Sequence, residues 1–267
     1  MYLVNGQPIS TVAIADRSFQ YGDGCFTTIL TKQGVVQHWS KHVERVNACL
    51  DTLAISRPNW RQVETWIAQV RLSDELAGIK LHFSRGEGGR GYSPTQVGSP
   101  NVTISAFAFP RHYEQWCKEG VVLGVCQQTL GINPMLAGHK HNNRLEQILL
   151  KAEIERQGFA DGIALDCNGK VIETTMANIF WFQGGTLHTP SLSSAGVVGV
   201  MRKVVIEQAL RMNIDVKESE YEMTTLLAAE EVFITNSILR LAPVTGIGNQ
   251  TFSIGPITRT IQEKILS

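Results

Sequence analysis

Ala137-Gly138-His139-Lys140-His141-Asn142-Asn143-Arg144-Leu145-Glu146-Gln147 is the stretch on which the fold turns. A short polar loop holding one lysine runs straight into Leu145, Ile148, Leu149 and Ala152. Apolar residues at i, i+3, i+4 and i+7 predict a helix that packs this face inward. Upstream, Val121–Val125 predicts a buried strand and Asn133-Pro134 a turn. Lys140 thus stands between strand and helix, well placed to face a cleft. Lysine forms Schiff bases with carbonyl cofactors because its pKa drops readily on desolvation. A lysine taken blind is a solvated surface group, so its company decides.

The chain has 267 residues, 43% hydrophobic and 18% charged, enough for one large domain or two modest ones. Lys plus Arg and Asp plus Glu are 24 each, which argues against nucleic acid or an anionic membrane as partner. The five cysteines are scattered with no CxxC, the pattern of reduced thiols in a cytoplasmic enzyme rather than a disulfide frame or zinc site. No signal peptide is expected at the N-terminus, and no apolar run reaches membrane-spanning length.

Residues 1–4 and 12–15 predict short strands. Residues 26–31 and 35–38 predict a hairpin about Lys32-Gln33-Gly34. Ser40 is placed to cap a helix with the stripe Val43, Val46, Leu50 and Leu53; Arg45 lies on that helix. A second helix is expected over about 59–76, then strands at 79–83 and 102–109 around a glycine-rich loop, 85–99. The reading is α+β with two lobes: 1–110, a connector at 111–120, and 121–267 carrying Lys140. In the second lobe Asn168-Gly169 and Gly184-Gly185 mark hairpins. A helix opens after Gly199, a strand runs over 231–235, and a helix closes the chain at 257–266.

Several positions carry chemistry. Glu173, at a strand end among small and apolar residues, would be costly to bury without a partner such as a protonated ring nitrogen. Gly199-Val200-Met201 at a helix start offers backbone N–H groups and a positive dipole end, a seat for phosphate. Ser237, in a loop directly after a strand, could add a hydroxyl, and Arg45 a balancing charge. Arg85-Gly86-Glu87-Gly88-Gly89-Arg90-Gly91-Tyr92 is no P-loop, since neither Gly-Lys-Ser/Thr nor a helix follows. Two arginines and a tyrosine there suit a carboxylate clamp better. His139 and His141 flank Lys140 without a third nearby ligand, so no metal is expected.

Asp16-Arg17, Gln20-Tyr21-Gly22-Asp23-Gly24, Arg45, Lys140, Glu173, Asn178-Ile179-Phe180, Gly199-Val200-Met201-Arg202 and Thr235-Asn236-Ser237 together resemble the fold type IV family of pyridoxal-phosphate enzymes, in register over nearly the whole chain. That family includes the D-amino acid and branched-chain aminotransferases. The resemblance implies the D-amino acid aminotransferase-like two-lobe fold, with pyridoxal 5'-phosphate between the lobes and usually a homodimer. It implies that Lys140 holds the cofactor as an imine and that Glu173 pairs with its ring nitrogen. Arg45, Asn178, Gly199, Val200, Met201, Asn236 and Ser237 would complete the cofactor site. The runs at 22–28, 84–92 and 140–147 are similar to the aminodeoxychorismate lyase branch, which makes 4-aminobenzoate and pyruvate for folate synthesis. That branch implies Lys140, Glu173 and Thr28 as catalytic residues, with Arg90, Tyr92, Phe26 and Arg144 on the substrate. Aminotransferases of the family, the alternative, often carry Tyr then Glu where this chain has Phe26 and Thr27.

Overall fold

The computed structural model describes residues 1–266. They divide into two compact units, the first being Met1–Phe109 with His139–Asn143 and the second the remainder.

The first unit contains β1 (Tyr2–Val4), α1 (Arg17–Tyr21), β2 (Gly24–Lys32), β3 (Val35–Val36), α2 (Trp39–Thr52), α3 (Trp60–Val70), β4 (Leu76–Ser84) and β5 (Asn101–Ala108). Its strands pair antiparallel in the order β1-β5-β4-β2-β3. Strand alternation sends Cys25, Ile29, Ile79, Leu81, Phe83 and Ile104 to one face, where they bury against Val46 and Leu50 of α2 and Val63 and Ile67 of α3. Each fully buried aliphatic side chain contributes about 1.5–3 kcal/mol. The β2–β3 turn puts Gln33 and Gly34 at φ 50° and 75°, as a two-residue hairpin requires.

Three expectations here are corrected. Residues 12–15 form coil and turn, not a strand. Val12 and Ile14 are exposed, so their alternation has no core to meet. The second helix ends at Val70, because Leu76 is already paired with Lys32 in the sheet. Helix α2 starts one residue before Ser40, after His38 at φ 52°, which gives no side-chain cap.

The second unit contains α4 (His112–Glu119), β6 (Val121–Val125), α5 (Leu145–Arg156), β7 (Asp161–Leu165), β8 (Val171–Thr174), β9 (Asn178–Gln183), β10 (Thr186–Pro190), α6 (Val200–Arg211), β11 (Asp215–Ser219), α7 (Met223–Leu227), β12 (Glu231–Asn236), β13 (Arg240–Ile247), β14 (Gln250–Thr251) and α8 (Pro256–Leu266). The sheet order is β11-β10-β9-β12-β13-β6-β7-β8, with β14 beside β13. Strands β9 and β12 read as apolar runs because both faces are covered, and Phe180 stacks on Phe233 at 5.2 Å between centroids. The hairpins at Asn168-Gly169 and Gly184-Gly185 join β7 to β8 and β9 to β10.

The connector at 111–120 is mostly α4, packed in the second unit. The inner face of α5 is Leu150, Glu153 and Ile154, while Leu145, Ile148 and Leu149 are exposed. Apolar residues lie on both sides of this helix, so periodicity could not choose a face. Glu153 turns inward because its carboxylate accepts the Gln127 and Gln128 amides at 2.6 and 3.1 Å. The lysine segment also moves: His139–Asn143 belongs to the first unit. Phe26 N–H donates to Lys140 O and Asn142 N–H to Gly24 O, both at 3.0 Å, which adds the segment to the edge of β2.

Candidate active site

In the first unit, β2 points Thr27 into the core and turns Phe26 and Thr28 to the other face, where they are half-buried. The inward stripe of α2 includes two polar residues, His42 and Arg45, at positions that periodicity reserves for apolar ones. Both meet Thr27 Oγ1: Arg45 donates from Nη2, and His42 Nδ1 lies 2.7 Å away. Burial, with the Arg45 charge beside it, drives the His42 pKa well below its usual value. The imidazole is therefore neutral, and its Nδ1 pairs with the Thr27 hydroxyl. Burial lowers the Arg45 pKa to about 10. Its Nε is buried with no hydrogen-bond partner. A desolvated guanidinium with an open donor is a seat for an anion.

The other face of this sheet carries Lys140. Its Nζ lies 4.6 Å from the Phe26 ring centroid, and Lys80 Nζ lies 5.0 Å from the same ring. Thr28 is the cross-strand partner of Lys80 and Phe26 that of His82. Two amines, a hydroxyl and an imidazole thus share one face around one ring. Lys80 was missed by the sequence reading; its only signal was its place on the polar side of the alternating strand with Ile79 and Leu81. The lysine loop is pinned by Asn142, whose Nδ2 donates to Ser18 Oγ and Phe83 O at 2.8 and 3.0 Å. Ser18 Oγ in turn contacts His82 Nε2 at 3.0 Å. Burial, then the Lys80 charge, lowers the His82 pKa, which favours the neutral acceptor.

The glycine-rich loop is more ordered than its composition suggests. Arg17 donates from Nη1 to Gly91 O at 3.0 Å and to Gly88 O at 3.4 Å, and from Nε to Asp23 Oδ2 at 2.8 Å. Arg85 reaches the same Asp23 oxygen at 2.7 Å. Of the two arginines expected to clamp a carboxylate, Arg85 is therefore committed to the scaffold, whereas Arg90 and Tyr92 are exposed.

In the second unit, Glu173 ends β8 and is buried. Its Oε2 accepts Val197 N–H at 3.1 Å and Asn178 Nδ2 at 3.3 Å. Helix α6 begins after Gly199 with no side-chain cap on its first turn, so the Val200 and Met201 amides point as phosphate binding requires. Asn178 and Asn236, expected at the cofactor, spend their carboxamides on the protein. Asn178 serves Glu173, Val197 and Gly199, while Asn236 accepts the Ile238 and Leu239 amides and donates to Met176 O. Ser237 sits half-buried in that turn, and Arg144 precedes α5. The first unit carries an amine on one face of its sheet and, on the other, a guanidinium whose Nε has no partner; the second carries a held carboxylate and an uncapped helix start.

The profile of amino-transferase class IV matches residues 24–247. The aminodeoxychorismate lyase of Vibrio harveyi is 53% identical over 98% of this chain and 98% of its own. The crystal structure of 4-amino-4-deoxychorismate lyase from Pseudomonas aeruginosa superposes with a TM-score of 0.94 at 33% identity, covering 99% of this chain and 98% of that one. The branched-chain amino acid aminotransferase of Escherichia coli shares the fold, with a TM-score of 0.88 at 24% identity over 99% and 93% of the two chains. With these landmarks in place, the chain belongs to the class IV aminotransferase family.

Proposed function

We propose that this chain is a pyridoxal-phosphate-dependent lyase that converts aminodeoxychorismate to 4-aminobenzoate and pyruvate. The observation that carries the reading is Lys140, fixed by backbone bonds to β2 with its amine over Phe26, on the face that also holds Lys80 and Thr28. The near-full-length relative of the same activity supports the substrate. Thr27 bears on the alternative: it is buried between Arg45 and His42, at the position where aminotransferases often carry glutamate.

On the family's pattern, Lys140, Arg45, Glu173, Gly199, Val200, Met201 and Ser237 hold the cofactor. When bound, pyridoxal phosphate supplies an electron sink for the carbon next to the amine it carries. Glu173 would pair with the ring nitrogen and hold a proton there. The Lys140 amine removes the proton from the amine-bearing ring carbon of the substrate. The C–O bond to the enolpyruvyl group then breaks, and the six-membered ring becomes aromatic, which drives the step forward. Lys140, now an ammonium, or the Thr28 hydroxyl protonates the enolpyruvate carbon to give pyruvate. Arg90, Tyr92 and Lys80 are the groups for the substrate carboxylates, with Phe26 and Arg144 beside them. A cytoplasmic homodimer accompanies this reading, and the exposed apolar residues Leu145, Ile148 and Leu149 of α5 suit a subunit contact.

The test is a visible spectrum of the purified protein, followed by product analysis with aminodeoxychorismate. A cofactor band and stoichiometric pyruvate are expected. Lys140→Ala should lose the borohydride-reducible adduct and lower turnover by about a thousandfold or more. Amino-group exchange with a keto acid in place of pyruvate release would sink the lyase assignment.

A further inference from the structure

The carboxamide of Asn178 has its polar atoms spent inside the second unit. Nδ2 donates to Val197 O at 2.8 Å and to Glu173 Oε2 at 3.3 Å, and Oδ1 accepts Gly199 N–H at 3.1 Å. These partners assign the amide's orientation. Turned over, it would set an oxygen against a carboxylate and a carbonyl, and an NH2 against an N–H. The Val197 amide donates to the same Glu173 oxygen at 3.1 Å. One side chain therefore touches both the carboxylate and the residue that starts α6. The fit is close: a Cβ built on Gly199 would lie 2.2 Å from Asn178 Oδ1. Asn178 is itself held by the sheet, in register with Thr235 of β12.

We infer that Asn178 is a positioning residue, not a cofactor ligand, and that it couples the Glu173 carboxylate to the amides at the start of α6 so that the two are held as one piece. The inference rests on the cofactor reading above, in which these groups meet the ring nitrogen and the phosphate of one rigid molecule. A protein that fixes the matching separation beforehand loses less on binding.

Three variants separate coupling from packing. Asn178→Asp keeps an acceptor for Gly199 N–H and, because two carboxylates so close share a proton, keeps a hydrogen bond to Glu173 while changing the charge there. Asn178→Ala removes both links. Gly199→Ala displaces the carboxamide without changing it, at a φ of −69° that alanine accepts. Affinities of the apoprotein for pyridoxal phosphate and for pyridoxal, which lacks the phosphate, are measured by titration. The visible spectrum of each holoenzyme is recorded against pH.

Asn178→Ala and Gly199→Ala are expected to lower the preference for pyridoxal phosphate over pyridoxal by about tenfold each, and their combination by no more than either alone. Asn178→Asp should keep that preference within about twofold while moving the pH midpoint of the cofactor band by about one unit or more. Equal losses of preference in the Asp and Ala variants, or wild-type preference and spectra in all three, would overturn the coupling. Should Asn178→Ala fail to fold, the Asp and Gly199 variants decide alone. A wild-type protein that takes up no pyridoxal phosphate sinks the cofactor reading itself, whereas indifferent variants of a wild type that binds it sink only this inference.

Discussion

The chain has two glycine-punctuated stretches, residues 85–99 in the first unit and 196–199 in the second, and side chains of opposite charge close them, Arg17 in one and Glu173 in the other. In the first, carbonyls turn inward: Gly88 O and Gly91 O point at the Arg17 guanidinium, and Gly86 O accepts Arg17 N–H at 2.9 Å. In the second, amides meet side-chain acceptors: Val197 N–H and Gly199 N–H go to Glu173 and Asn178, while Gly196 O and Val197 O accept from Gly138 N–H and Asn178 Nδ2. The first is closed by a cation the protein already owns. The second runs into an uncapped helix start that still favours an anion. Glycine content does not separate a structural loop from a ligand seat; the groups that the loop meets do.

Breaking the first loop should have the largest effect. Arg17 is buried, so Arg17→Ala leaves the Gly88, Gly91 and Tyr92 carbonyls without this donor and Asp23 with Arg85 alone. Breaking such a pair costs about 3–5 kcal/mol. Arg17→Lys should recover little, since one ammonium cannot fork between a carboxylate and several carbonyls. Urea unfolding measures the loss, and limited proteolysis within 85–99 shows where it falls. Stability within 1 kcal/mol of wild type, as an approximate threshold, would make the loop self-supporting.

Gly196→Ala tests the second loop with a smaller effect. Gly196 has φ 82°, and an added Cβ would lie 2.7 Å from Ile172 Cγ2 and 2.8 Å from Leu192 Cδ2. Strain and crowding together should cost about 3 kcal/mol. The shift also moves the Val197 amide off Glu173, so cofactor retention should fall along with stability, whereas the Arg17 variant should lose stability first. Equilibrium dialysis against pyridoxal phosphate at matched fractions folded separates the two.

The fold was legible where patterns are local. Alternation at Ile79, Leu81 and Phe83 placed β4, and the Asn-Gly and Gly-Gly pairs placed two hairpins. What failed was non-local. Lys140 joins the first unit through backbone bonds to residues more than a hundred positions earlier, which no window can see. Of the α2 stripe Val43, Val46, Leu50 and Leu53, Val46 and Leu50 are buried, and the structure also turns His42 and Arg45 inward, where both meet Thr27 on the neighbouring strand. Helix α5 is apolar on two sides, so only Glu153 and its amide partners reveal the buried face. Of the expected cofactor residues, Lys140, Arg45, Glu173 and the Gly199 turn carry physical features that suit the role. Asn178 and Asn236 spend their carboxamides on protein partners, a commitment that no sequence motif shows.

Two aspartates, Asp23 half-buried and Asp161 fully buried, sharpen the contrast at the smallest scale. Burial alone would raise the Asp23 carboxyl, but the bonds from Arg85 and Arg17 outweigh it and leave the pKa below its ordinary value. Asp23 therefore contributes stability above the ordinary range, near pH 4, and loses it as pH falls through the folded value. Asp161 is the reverse. Burial dominates and raises its pKa despite hydrogen bonds from Thr174, Thr175 and the Gly162 amide, and its Oδ2 has no partner. Its ionised form opposes folding, a penalty that appears as pH rises through the folded value. At pH 7 Asp23→Asn should thus cost about 2 kcal/mol, whereas Asp161→Asn, which keeps an oxygen for the Thr175 hydroxyl and amide, should stay within about 1 kcal/mol. Denaturant titrations from pH 7 down to about 3.5 should begin to narrow the gap between wild type and Asp23→Asn while making Asp161→Asn relatively worse. Parallel trends in the two variants would mean that the paired arginines do not set the charge state of Asp23.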